Sequence, residues 1–141
     1  MLERKGPSSP RAAPRAAATP APKKTAGDAA EAHALRWLRS RGLEPVACNY
    51  RVARGRSARG GEVDLILREP DGTLVFVEVR ARADARHGGA AASVGPAKQR
   101  RIVFAAQHFL MRLASPPPCR FDVLAIEGES VEWFKGAFDA A

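Results

Sequence analysis

The stretch Gly61-Glu62-Val63-Asp64-Leu65-Ile66, the turn Glu69-Pro70-Asp71-Gly72-Thr73 and the run Phe76-Val77-Glu78-Val79-Arg80 together decide the reading of this chain. Two apolar runs of strand type each carry acids where a core strand disfavours them. In the turn, Pro stands second, Asp third and Gly fourth, which suits a type I turn closed by a left-handed glycine, a three-residue hairpin loop. Counting back from a Glu69–Thr73 pair, Leu67 faces Val75, Ile66 faces Phe76, Asp64 faces Glu78 and Glu62 faces Arg80. Residues directly opposite share a face, with Cβ atoms roughly 5 Å apart. The hairpin then holds two carboxylates side by side, flanked by a cation. Like charges so placed destabilise a sheet unless one is protonated or a cation sits between them. Hard oxygen ligands at that spacing are what Mg²⁺ or Mn²⁺ uses. Two other readings stay open. The acids suit equally the water-facing side of an antiparallel hairpin. A two-residue Asp71-Gly72 turn would instead pair Asp64 with Val79 and send the acids to opposite faces, although Pro70 favours the longer loop.

Working outward, Gly27 to Arg41 reads as a helix: Ala30, Ala34, Trp37, Leu38 and Arg41 recur at helical spacing and Gly42 supplies the stop. Glu31 borders its apolar face, either as a first-turn acid that complements the helix dipole or pointing across the core edge toward the hairpin acids. Glu44 to Arg51 reads as a first strand and Val52 to Gly61 as a flexible, basic, glycine-containing loop. Pro96 to Leu113 reads as a long helix with Ile102, Ala105, Ala106, Phe109, Leu110 and Leu113 as its apolar stripe, ended by Pro116-Pro117-Pro118. Arg120 to Glu127 reads as a strand laid parallel to the preceding one after a helical crossover, and Ser130 to Phe138 as a short closing strand. The order αβββαβ with a terminal piece makes a mixed central sheet flanked by helices, an α/β fold.

The 141 residues fit one folded domain, over residues 27–141. Residues 1–26 are rich in Ala and Pro, lack apolar periodicity and hold six Lys/Arg against one Glu, so they read as a disordered basic tail. No stretch suits a secretory leader or a membrane span. The rest carries 17 basic and 14 acidic side chains. Cys48 and Cys119 read as buried, reduced thiols, which suits a cytoplasmic protein, and neither has partners at zinc-ligand spacing. The positive charge is clustered: Arg51, Arg54, Arg56 and Arg59; Arg80, Arg82 and Arg86; Lys98, Arg100 and Arg101. Such clusters beside acids suit a nucleic-acid partner. His87 reads as a solvated loop residue, while His33 and His108 have no partner at ligand spacing. Asp122 reads as bonded to a basic residue or loop backbone. With 6% aromatic residues, no stacking platform is evident.

The ordered set resembles the PD-(D/E)xK nuclease superfamily. It comprises Gly27-Asp28-Ala29-Ala30-Glu31, Asn49-Tyr50-Arg51, Gly61-Glu62-Val63-Asp64-Leu65-Ile66, Val75-Phe76-Val77-Glu78-Val79-Arg80-Ala81-Arg82, Lys98 with Arg100-Arg101, and Arg120-Phe121-Asp122-Val123. Within that superfamily the chain is similar to the YraN family of small bacterial proteins, which resemble archaeal Holliday junction resolvases. The resemblance covers about residues 27 to 138 and implies a restriction-endonuclease-like fold. It implies a Mg²⁺- or Mn²⁺-dependent endonuclease acting on DNA, branched or structured DNA included. By position, Asp64 and Glu78 are the implied metal carboxylates, with the Val79 carbonyl beside them. Glu31 is the implied helix acid, and Arg80 stands where the superfamily usually has its catalytic Lys. Arg51, Arg59, Arg82, Lys98, Arg100 and Arg101 are the expected nucleic-acid contacts. Arginine stays protonated and cannot act as a base, though it clamps phosphate. The alternative is therefore a non-catalytic nucleic-acid-binding module that keeps the fold, and a third reading has the tail bind a protein partner. A symmetric cut of a junction implies a homodimer.

Overall fold

The computed structural model describes residues 26–55, 58–81 and 94–140, and of Ala26, Ala58 and Arg59 the backbone alone. The basic tail to Thr25, the loop holding His87, and Arg56, Arg82 and Arg86 lie outside the described residues. The described elements are α1 (Ala26–Ser40), β1 (Glu44–Arg54), β2 (Ala58–Arg68), β3 (Leu74–Ala81), α2 (Pro96–Met111), β4 (Cys119–Glu127) and β5 (Ser130–Phe138). The strands form one five-stranded mixed sheet in sequence order. Only β3 and β4 are parallel, and α2 is the crossover between them, as the sequence led us to expect. No described helix is long and apolar enough to cross a membrane.

The β2–β3 loop takes the longer form. Glu69 N–H donates to the Thr73 carbonyl and Gly72 N–H to the Glu69 carbonyl, both at 2.9 Å, with Gly72 at φ 96°. A left-handed φ is costly for most side chains and free for glycine. The pairs Leu67–Val75 and Ile66–Phe76 follow, so the two-residue turn is excluded.

Each face of the sheet has its own core. Ala34 and Leu38 of α1 pack on Leu65, Leu67, Val75, Val77, Leu124 and Ile126. Ile102, Ala105, Ala106 and Phe109 of α2 pack on Val63, Ile66, Phe76, Phe121 and Val123. The alternation Leu74, Val75, Phe76, Val77 along β3 splits cleanly between the two clusters, as a strand buried on both sides requires. Burying a Leu, Val or Phe side chain contributes about 1.5–3 kcal/mol, so this core holds without a disulfide. Trp37 of α1 meets Trp133 of β5 edge to face, with ring centroids 5.7 Å apart.

Three expectations are corrected. The stretch read as a loop from Val52 to Gly61 is largely strand: β1 runs to Arg54 and β2 starts at Ala58. The glycines there serve close approach, since a Cβ on Gly60 would lie 1.8 Å from the Val52 carbonyl oxygen and one on Gly61 2.2 Å from the Arg101 oxygen of α2. Both cysteines are free but exposed rather than buried. Cys48 lies on edge strand β1 and Cys119 is the first residue of β4, so both sit at the rim of the sheet rather than between layers. Finally, Glu62 does not face Arg80. The β2–β3 ladder ends at Leu65–Val77, and Glu62 pairs instead with Arg51 of β1 at 3.3 Å, its register neighbour there.

Candidate functional site

The site grows out of a fault in strand alternation. In a regular strand, residues three apart lie on opposite faces. Yet Ala47 and Tyr50 both pack on the α2 side, as do Val63 and Ile66, while Leu65 packs on the α1 side. The break falls at Asn49 in β1 and Asp64 in β2, between the register pairs Cys48–Leu65 and Tyr50–Val63. Asn49 sits at φ 51°, a left-handed backbone that asparagine tolerates better than other side chains. Beyond Leu65–Val77 the β2–β3 backbone ladder is interrupted, and Asp64 occupies the gap. Its Oδ2 accepts the Val79 backbone N–H at 2.9 Å.

From this position Asp64 meets acids of both layers. Glu31 of α1 hydrogen-bonds Asp64 and Asn49. Glu78 of β3, only 4% exposed, hydrogen-bonds Asp64 from the other side. Burial, and then the Asp64 charge, push the Glu31 carboxyl from 4.5 up to about 6 and the Glu78 carboxyl from 4.5 up to about 7. Burial also raises Asp64, against the opposing pull of the Val79 N–H. Glu31 and Glu78 thus hold their protons to higher pH than free carboxyls, and the protonated form of either can donate to Asp64. Among the described residues no group of three or more His, Cys, Asp or Glu side chains is placed to hold a metal ion by itself.

Two cations close the site. Lys98 Nζ of α2 and Arg80 Nη1 of β3 each lie 3.4 Å from Oε2 of Glu78. The Nε atoms of Arg80 and Arg101 are buried without a hydrogen-bond partner. Arg101 lines a cleft with Arg51, Gly60, Gly61 and Glu62. Glu31, Asp64, Glu78 and Arg80 are therefore brought together, and Lys98 joins them. Arg51 and Arg101 flank the neighbouring cleft. Arg100 instead lines a groove on the opposite face of α2. Arg59 is described by its backbone alone and Arg82 lies outside the described residues.

Asp122 is wholly buried and belongs to a different network. It accepts Arg120 Nε at 3.0 and 3.1 Å, Trp133 Nε1 at 2.8 Å and the Gly136 N–H at 2.9 Å. Arg120 in turn pairs with Glu69 at 2.6 Å. This is the structural bonding expected of Asp122, and it ties β5 and the β2–β3 turn to β4. The role of Asn49 was missed: the one signal was an asparagine inside a strand-like run, a residue prone to positive φ.

Comparison with known proteins sets this geometry in a family. The chain is 63% identical over 118 residues to a UPF0102 protein of Methylibium petroleiphilum, an alignment covering 84% of this chain and 97% of that one. It is 61% identical over 117 residues to a UPF0102 protein of Albidiferax ferrireducens, covering 83% and 89%. A UPF0102 protein of Paracidovorax citrulli is 57% identical over 129 residues, covering 92% and 93%. The family described as "Uncharacterised protein family UPF0102" matches residues 30–126, a span that holds Glu31, Asn49, Asp64, Glu78, Arg80 and Lys98. The chain therefore belongs to the UPF0102 family, which is the YraN family.

Proposed function

We propose that this chain is a metal-dependent endonuclease with a restriction-endonuclease-like core, acting on branched or structured DNA. The observation that carries the reading is the meeting of Glu31, Asp64 and Glu78, from three separate elements, with Lys98 and Arg80 on Oε2 of Glu78. The Asp64 charge makes both Glu31 and Glu78 harder to ionise, so the cluster opposes its own full charge and a structural role gives no reason for it. A hard divalent cation reverses that balance. The donors fit one: all are carboxylate oxygens, and Mg²⁺ is commonly held by one or two carboxylates and several waters rather than by a closed cage. Asp64 and Glu78 would hold it, with the Val79 carbonyl as a further oxygen and Glu31 orienting Asp64.

Bound Mg²⁺ or Mn²⁺ supplies charge neutralisation at the scissile phosphate and a nucleophile at neutral pH. The chain's own groups do the rest. The Val79 N–H fixes the Asp64 carboxylate, and Lys98 keeps positive charge against Glu78. Arginine cannot act as a base, so the part of Arg80 is to clamp phosphate with its guanidinium edge. The cleft between Arg51 and Arg101 suits a neighbouring phosphate of the same strand.

The test is cleavage of a labelled four-way junction, a flap, a linear duplex and a single strand in Mg²⁺ or Mn²⁺, by wild type and Asp64→Asn. Metal-dependent cutting that Asp64→Asn loses supports the reading; cutting by the variant at the wild-type rate, or no metal-dependent cutting of any substrate, defeats it. One observation favours a second reading, a non-catalytic nucleic-acid-binding module: the place of the superfamily's Lys is held by Arg80, already paired with Glu78. That reading predicts tight binding without cutting in either metal.

A further inference from the structure

The face of α2 turned away from the acids borders a groove of about 450 Å³, walled by Arg54, Gln99, Arg100, Phe104, Gln107 and Asp139 among others. Its volume lies within the ~300–1,000 Å³ of pockets that enclose small ligands. Phe104 is half-buried and belongs to neither core cluster of the described residues. The Arg54 guanidinium lies 4.9 Å from its ring centroid, and the His108 ring stands 4.4 Å from it on the helix. An arginine over the phenylalanine ring and a histidine tilted at 51° to it thus form a cation–aromatic cluster that no core requires. Arg54 and Arg100 outweigh the single charge of Asp139 on the same wall.

We propose that this groove takes an unpaired nucleotide of a polynucleotide strand, an inference that rests on the nucleic-acid reading above. A base offers a π face to Phe104 or to the Arg54 plane, its edge can bond the Gln99 or Gln107 amide, and its phosphate meets Arg54 and Arg100. Bases stacked and paired within a duplex present no face to such a cluster, so the occupant is a single-stranded segment. The groove and the acid cluster lie on opposite faces of one helix, about 10–12 Å across with its side chains. A few nucleotides span that distance, so the arrangement suits DNA in which a duplex gives way to a single strand.

The experiment is fluorescence anisotropy in EDTA, where binding is read without cleavage. It uses linear duplex, the same duplex with a single-stranded flap, and the single strand. The proteins are wild type, Phe104→Ala, Phe104→Tyr and Arg54→Ala, each checked for a native melting transition. Expected is a wild-type preference for flap over duplex. Phe104→Ala should bind flap and single strand about ten-fold more weakly and duplex equally well, while Phe104→Tyr keeps wild-type affinity. Arg54→Ala should weaken flap binding too, and it carries the test if Phe104→Ala does not fold. Equal affinity of wild type for flap and duplex, no selective loss in the variants, or equal competition by poly-glutamate overturns the inference alone. Failure of wild type to bind any polynucleotide overturns the nucleic-acid reading with it.

Discussion

The backbone N–H of Val79 on β3 donates to Oδ2 of Asp64 on β2 at 2.9 Å, just past the point where the ladder between those strands ends. A side chain here does the work of a strand carbonyl. The carboxylate is thereby fixed in a gap open to both layers, where Glu31 and Glu78 can reach it.

Asp64→Asn retains an oxygen for the Val79 N–H and removes a charge that opposes ionisation of Glu31 and Glu78. Metal-free stability should be unchanged or higher. Mn²⁺ affinity by calorimetry should fall by more than about 100-fold, since even outer partners of a metal ligand account for ~10–100-fold. A variant that binds Mn²⁺ like wild type removes Asp64 from the site.

The pH dependence has a definite sign. In the folded protein burial, and then the Asp64 charge, push Glu31 up to about 6 and Glu78 up to about 7, against 4.5 ordinarily. Over that interval the native state binds more protons than the unfolded one, so metal-free stability falls as pH rises from the ordinary value through the raised ones. Urea midpoints should decline across this window, and Glu78→Gln should flatten the decline. Divalent metal, which competes with those protons, should bind more tightly as pH rises and reverse the trend.

Asn49 separates backbone from side chain. A left-handed φ costs an alanine roughly 1–2 kcal/mol and costs a glycine little. Asn49→Ala should therefore be less stable than Asn49→Gly by about 1 kcal/mol in urea denaturation. Both should lose the bond to Glu31 and bind Mn²⁺ more weakly, whereas equal stability of the two variants would mean that the strand relaxes to an ordinary φ.

Asp122→Ala removes the acceptor of four hydrogen bonds, from Arg120 Nε, Trp133 Nε1 and the Gly136 N–H. Breaking a buried pair costs ~3–5 kcal/mol, and the lower end, about 3 kcal/mol, is expected because Arg120 keeps Glu69. Urea denaturation measures this loss, and cleavage per folded molecule should be unaffected.

Much of this fold is written locally. Pro70-Asp71-Gly72 names its own turn, and the register of four β2–β3 pairs follows from it. The apolar stripe of α2 and the crossover to a parallel β4 follow from spacing and chain order. What failed to show was non-local. The Gly60-Gly61 pair looks like loop composition until α2 is laid across it. Counting back along a regular ladder assigns Glu62 to Arg80, because nothing local announces that the ladder stops. Cys48 and Cys119 have apolar neighbours in sequence, but rim positions in the sheet. The acids were legible as neighbours, but not through the register pair counted back from the turn, since the ladder ends at Leu65–Val77 before Asp64 and Glu78; that Asp64 would also touch Glu31 depends on a twist that only two strands together reveal.

The contact between Gly61 and α2 makes one missing methyl group a ruler for the charge balance of the whole cluster. The Arg101 carbonyl rests where a side chain at position 61 would begin, and Lys98 lies one helical turn away on the same α2. Any side chain at 61 would lift that turn off the sheet and carry the ammonium away from Glu78. The acids would then keep only Arg80 of their two counter-charges, with every acidic and basic residue still in place, so a survey of charged positions alone would leave such a variant's defect unexplained.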